Sequence, residues 1–98
     1  MRDNYFFLSK NQNESLMPGK MSESHFRLLI EISTIHSEKI IFALKDFLVF
    51  GYSRREVCER HKISSGYLSG ALGRFQHVNT TVIQLIPFYV QVKSLTHK

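Results

Sequence analysis

YSRREVCERHKISSGYLSGALGRF, residues 52–75, is the stretch that decides the fold of this chain. Ser53 is followed three residues later by Glu56, which is the S-x-x-E pattern of a helix capping box. The pattern predicts a short helix over residues 54–61, and Ser64 can cap a second helix almost at once. Two short helices joined by a tight turn predict a helix-turn-helix over about residues 53–77, whose second helix would enter the DNA major groove.

The packing positions of this motif hold apolar or small residues. Those expected to face inward are Val57, Cys58, Ile63, Leu68, Ala71 and Leu72. The turn departs from the usual pattern, because Lys62 stands where glycine is common, and a left-handed backbone would cost it roughly 1–2 kcal/mol. We expect either that strain or a different turn geometry. An ordinary helical hairpin is the alternative to the DNA-binding motif.

Three glycines interrupt the second helix at i, i+4 and i+7, and each costs roughly 1 kcal/mol relative to alanine. At 100° per residue, Gly66, Gly70, Gly73 and His77 fall opposite the apolar side. This face lacks the Arg, Lys, Asn or Gln side chains that usually contact base edges in its first two turns. Three explanations remain open: close approach of the backbone to DNA, close packing of another protein helix, or a weak and mobile helix.

Charge is distributed unevenly along the chain. The net charge is +5, yet all eight acidic residues lie at or before Glu59, and residues 60–98 hold five Lys or Arg. This asymmetry favours an anionic partner, of which nucleic acid is the usual one. A generally basic, soluble surface is the alternative. Arg54 and Arg55 begin a helix, where cations are unfavourable, and this placement suggests contacts with phosphate, with two solvated arginines as the alternative.

The rest of the chain predicts a single small all-α domain of about five helices, over residues 21–92. A flexible arm over residues 1–20 precedes a helix capped by Ser22 that ends near His36, and Ser37 caps a second helix that Gly51 ends. Asn79 is expected to cap a short helix that Pro87 stops or kinks, and residues 93–98 to form a basic tail. Apolar residues near the C-terminus exceed what one short helix buries, so some are candidates for a subunit interface: Val82, Ile86 and Phe88.

Several classes of protein are not indicated. No paired nucleophile and base, phosphate loop or metal-ligand set is visible, so we expect no enzyme activity, cofactor or metal. The single cysteine, Cys58, excludes an internal disulfide. The apolar runs are too short for a membrane span or a signal peptide, which predicts a cytoplasmic protein, associated with the nucleoid if it binds DNA.

The motifs IHSEK, ALKD, GYSRREVCE and GYLS also resemble the PapB-type regulators of fimbrial and adhesin operons in enteric bacteria, over about residues 19–90. The resemblance implies an all-α, oligomerising transcription regulator that prefers AT-rich duplex DNA, bound from the minor-groove side. We expect ten residues to contact DNA: Arg54, Arg55, Lys62, Ser64, Ser65, Gly66, Tyr67, Ser69, Gly70 and Arg74. The rival hypothesis is a protein-interaction module that uses the same helices to bind a transcription or fimbrial partner without contacting DNA.

Overall fold

The computed structural model describes the backbone of residues 16–96 and the side chains up to Val90. This part of the chain is all-helical, which confirms the predicted fold class. Its four helices are α1 (Glu23–Ile32), α2 (Glu38–Leu48), α3 (Arg54–His61) and α4 (Ser65–Thr96). The predicted count of about five is not met within these residues, because the expected helix after Asn79 is part of α4.

The first two helices begin where the sequence places their caps. The hydroxyl of Ser22 accepts from the N–H of His25, and that of Ser37 accepts from the N–H of Ile40. The prediction that α1 continues to about His36 is wrong. The Ser33 hydroxyl donates to the carbonyl of Ile30 and accepts from the N–H of Ile35, which replaces the helical pattern with a local turn.

The segment before α1 is held against the end of α2. The N–H of Gly19 donates to the carbonyl of Phe47, and the N–H of Met21 donates to that of Leu48. Gly51, with a φ of 86°, lies two residues beyond the α2 C-cap and packs beside Gly19, on which a Cβ atom would lie only 3.2 Å from the Cα of Gly51. Within the predicted flexible arm, Leu16 packs against the core and Gly19 bonds to the end of α2, while residues 17–20 stay exposed. Residues 1–15 lie outside the described residues.

All four helices contribute to one core. Phe26 of α1 stacks on Phe75 of α4, with ring centroids 5.5 Å apart. Around this pair the side chains of Leu44, Leu48 and Leu68 are fully buried. Both α2 and α4 contact each of the other three described helices, so these two helices together organise the domain.

The C-terminal part of the domain is one continuous helix, which corrects the sequence prediction. Asn79 lies inside α4 and is 2% exposed, so it caps no new helix, and Pro87 lies within the helix rather than ending it. The apolar side of α4 continues through Val78 and Val82, which pack against the core and carry the helix past Asn79. At 32 residues α4 is about 48 Å long.

The end of α4 therefore projects from a body whose shorter dimensions are 24 and 19 Å. Its apolar side chains beyond Val82 are largely exposed, and Phe88 and Tyr89 are 70% and 73% exposed. Long as it is, α4 lacks the sustained apolarity of a transmembrane segment, and none of the other described helices could cross a membrane.

Candidate nucleic-acid interface

The junction between α3 and α4 is tight and fully capped. Ser53 and Glu56 form both bonds of the predicted capping box at the start of α3. Lys62 adopts the left-handed conformation, with φ 56° and ψ 49°, so the chain accepts the strain at this position. The Ser64 hydroxyl then accepts from the N–H of Tyr67 at 3.0 Å and starts α4.

The inward side of this junction is well packed. Val57, Leu68 and Ala71 have no exposed surface. Ile63 and Leu72 are almost buried, and Cys58 is half-buried against the core. The relative orientation of α3 and α4 is consequently fixed by packing, and the opposite side of α4 is presented outward.

All ten residues predicted to contact DNA are exposed: Arg54, Arg55, Lys62, Ser64, Ser65, Gly66, Tyr67, Ser69, Gly70 and Arg74. The structure links two of them directly, because Arg54 Nη1 donates to Ser69 Oγ at 3.0 Å. Arg54 also lies over the ring of Phe47, with its Cζ 5.8 Å from the ring centroid. Arg55 makes no such link, since its side chain points along α3 to Glu59 at 3.8 Å.

The outward side of α4 is open around its glycines. A Cβ atom built on Gly66, Gly70 or Gly73 would meet no atom within 4 Å. Packing within the described chain therefore requires none of the three glycines. Any steric reason for them involves something outside that part of the chain, and a mobile helix remains the alternative.

The structure places Gly70 and Gly73 in a groove that the sequence did not predict. The groove has a volume of about 720 Å³ and lies between α4 and the segment that follows α1. We call it the α1–α4 groove. Its lining is mainly apolar or small and includes no acidic residue: Ile32, Ser33, Thr34, Gly70, Gly73, Arg74, His77, Val78, Thr81, Val82 and Leu85. The glycine side of α4 predicted from the helical spacing is therefore divided. Gly70, Gly73 and His77 line the groove, whereas Gly66 lies outside it.

A second feature that the sequence analysis missed is a buried carboxylate beneath α3. Asp46 is a charged residue of α2, but it is only 9% exposed. Its Oδ2 accepts from Arg60 Nε at 3.1 Å and lies 2.7 Å from His61 Nε2. The guanidinium of Arg60 also stacks on Tyr52, with its Cζ 4.4 Å from the ring centroid. This cluster ties α3 to α2.

The cluster also changes the expected charge distribution. Arg60 belongs to the acid-free C-terminal part of the sequence, yet its charge is offset by Asp46 in the fold. Lys62 and Arg74 remain exposed without a described ion pair. No sequence pattern relates Asp46 to Arg60, because the contact joins a buried residue of α2 to the last turn of a different helix, α3.

Comparison with known proteins assigns the class. The family described as adhesin biosynthesis transcription regulatory protein, PapB, matches residues 1–89 of this chain. The protein is 54% identical to the AFA-III adhesin operon regulatory protein of Escherichia coli over 91% of this chain and 88% of that protein. It is 48% identical to the pilus subunit operon regulatory protein PapB of E. coli, over 90% of this chain and 85% of that one.

A solved structure agrees with the fold. The crystal structure of E. coli FocB superposes with a TM-score of 0.75 at 45% identity and covers 91% of this chain and 99% of that one. The chain therefore belongs to the PapB family of adhesin biosynthesis transcription regulatory proteins, which confirms the resemblance seen in the sequence.

Proposed function

We propose that this protein regulates an adhesin or fimbrial operon by binding duplex DNA directly, through a helix-turn-helix formed by α3 and α4. The observation that carries the proposal is the junction at Lys62, which fixes α4 with an open, exposed face. Arginine and hydroxyl groups border that face, with Arg54 held beside Ser69. Such groups suit phosphate contacts, which position a protein on DNA.

The mode of recognition follows from what the face lacks. Few side chains on it have the hydrogen-bonding pattern needed to distinguish bases directly. We therefore propose that specificity comes largely from the shape and deformability of the DNA, with a preference for AT-rich sequence. Stiff A-tracts have a narrow minor groove that attracts arginine, and Arg54 and Arg74 are exposed at the edges of the face.

Self-association is part of the same proposal. Ile86 and Phe88 are 43% and 70% exposed on the projecting end of α4, and Val82 is partly buried at its base. A second copy packed there would remove this apolar surface from water. Several copies on one DNA would combine modest preferences through raised effective concentration. We place this activity in the cytoplasm, on the nucleoid.

A mobility-shift titration against an AT-rich duplex over a range of salt concentrations tests the proposal. If several phosphates are neutralised, log K should fall linearly with log salt at about 0.9 per phosphate. A GC-rich duplex of equal length tests the sequence preference. Absence of any shift at low salt would reject direct DNA binding.

The rival function, a protein-interaction module, is supported by one observation, the open α1–α4 groove. A helix of a protein partner could lie in such a groove without any DNA contact. If the unmodified protein gives no mobility shift with duplex DNA but still regulates the operon in cells, the rival function is favoured.

A further inference from the structure

The α1–α4 groove has no occupant in the described chain, and its lining is mainly apolar or small. Ile32 stands 62% exposed at its edge, and Val78, Val82 and Leu85 continue an apolar wall along α4. Gly70 and Gly73 leave open space above the helix backbone. A volume of about 720 Å³ is within the range of ligand pockets, and lining of this kind binds apolar side chains.

One apolar segment of the chain is available to fill the groove. Residues 1–15 lie outside the described structure, and they include the consecutive apolar run Tyr5, Phe6, Phe7 and Leu8. Of the other large exposed apolar side chains, Phe42 is on α2 and does not line the groove. Phe88 follows Leu85 by one turn of α4, so it extends the apolar wall of the groove rather than filling it.

The length of chain before the described residues suffices for this contact. Eight residue steps separate Leu8 from Leu16, which gives a reach of about 26–29 Å when extended. Leu16 packs against the core, and the residues after it bond to the end of α2 and lead directly into α1. The groove begins at the other end of α1, about 15 Å further along.

We propose that the α1–α4 groove is the docking site of the protein's own Tyr5–Leu8 segment. Because the two are joined by a short linker, the segment is present at an effective concentration in the millimolar range, so even weak apolar complementarity gives substantial occupancy. In an extended segment alternate side chains would enter the groove, either Tyr5 and Phe7 or Phe6 and Leu8.

A consequence for DNA binding rests on the proposed function. Gly70 and Arg74 line the groove and also belong to the surface assigned to DNA. A docked segment would cover them, so docking and DNA binding would compete. If the segment were docked in about 90% of molecules, the apparent DNA affinity would be reduced about tenfold.

Paramagnetic relaxation measured on the full-length chain tests the docking itself. A nitroxide is attached at Ser9→Cys in a Cys58→Ser background, which leaves the apolar run intact. We expect selective broadening of the amide signals of Gly70, Gly73 and Thr81, with the signals of Lys39 and Phe42 on α2 as internal controls. The matched variant with Phe6→Ser and Phe7→Ser should lose the broadening.

Broadening that is uniform, or confined to other surfaces, would overturn the proposal. A mixed sample shows whether the segment docks on its own chain or on a second copy. It contains spin-labelled protein at natural nitrogen abundance and ¹⁵N-labelled protein without the nitroxide, so only contacts between two chains broaden the signals. Broadening of equal strength in that sample would assign the groove to the segment of a second copy and reject docking within one chain. Retention of the broadening by the Phe6→Ser, Phe7→Ser variant would also contradict the proposal.

The link to DNA is measured separately, by titrating an AT-rich duplex. The Phe6→Ser, Phe7→Ser variant should bind about tenfold more tightly than the unmodified chain if docking competes with DNA. If the variant binds DNA with the affinity of the unmodified chain while the relaxation data still show docking, only the competition between docking and DNA binding is rejected. Failure of both proteins to bind DNA would reject the proposed function and leave the docking result standing.

Discussion

Arg54 and Ser69 are fifteen residues apart in the sequence, yet Arg54 Nη1 donates to Ser69 Oγ at 3.0 Å. The contact joins the first residue of α3 to the second turn of α4. It uses only one of the five N–H groups of the guanidinium, so the remaining donors are free to meet phosphate. The structure thus holds the guanidinium of Arg54 beside the exposed side of α4 that carries Gly66, Gly70 and Gly73.

Arg54→Ala should weaken binding to every duplex and reduce the salt slope by about one, because one phosphate contact is lost. Arg74→Ala should behave in the same way. Ser69→Ala should weaken binding with the slope unchanged, since it removes the support of Arg54 but not the charge. Mobility-shift titrations at several salt concentrations measure both quantities.

Lys39→Ala is the matched control for these variants, because it removes an exposed cation from the start of α2. Circular dichroism establishes that helicity is retained in each case. Equal affinities for Arg54→Ala, Arg74→Ala and the Lys39→Ala control would remove both arginines from the DNA surface.

Gly70→Ala should stabilise the domain by up to about 1 kcal/mol, because alanine is the better helix former and its methyl group meets open space. The same methyl group should lower DNA affinity if the backbone of α4 approaches the nucleic acid closely. Denaturant unfolding and mobility shift measure the two effects. DNA affinity at or above that of the parent chain would argue that the glycines only weaken the helix.

Replacing both Ile86 and Phe88 with serine should flatten a DNA-binding curve that is steeper than one site allows. Both side chains are substantially exposed, so the core should survive the change. Sedimentation measures self-association in the absence of DNA, and footprints should lengthen with protein concentration only in the parent chain. A parent chain that is strictly monomeric, with a short footprint of constant length, is the opposing result.

Asp46→Ala should lower the free energy of unfolding by about 1–3 kcal/mol, because Arg60 and His61 lose the carboxylate that they contact. Glu59→Ala is the control, since its pair with Arg55 is highly exposed and surface changes usually stay within about 0.5 kcal/mol. Urea unfolding compares the two. Similar free energies of unfolding for both variants would show that the Asp46 cluster contributes little to holding α3.

Glu23 gives a prediction about pH. The hydrogen bond from Lys45 and the charge of that ammonium group lower the pKa of Glu23. A group whose pKa is lower in the folded state stabilises the fold above its unfolded pKa, and loses this effect as pH falls through the folded value.

Glu23→Gln should therefore slightly lower the free energy of unfolding near neutral pH, and the difference should vanish in acid. The effect should be small, because the carboxylate is exposed and solvent screens the pair. Glu31→Gln on the same helix is the control, and an equal pH dependence in both variants would contradict the assignment.

The sequence by itself determined the local features of this protein. Hydroxyl caps at Ser22, Ser37 and Ser53 were visible because a cap depends on residues within one helical turn. The apolar and glycine sides of α4 were visible because helical spacing alone sets them, and the motifs around residues 35–75 sufficed to indicate the family. A left-handed Lys62 was one of two expected outcomes, since local sequence could not choose between strain and another turn geometry.

The tertiary structure decided what depends on how the helices cross. Three features depend on this crossing: the burial of Asp46, the contact between Arg54 and Ser69, and the α1–α4 groove. Each brings together residues from different helices, which no sequence periodicity relates. The continuity of α4 past Asn79 was also decided there. Local signals at Asn79 and Pro87 favoured a break, but a core that buries Asn79 and packs Val78 and Val82 outweighs one hydrogen bond lost to proline.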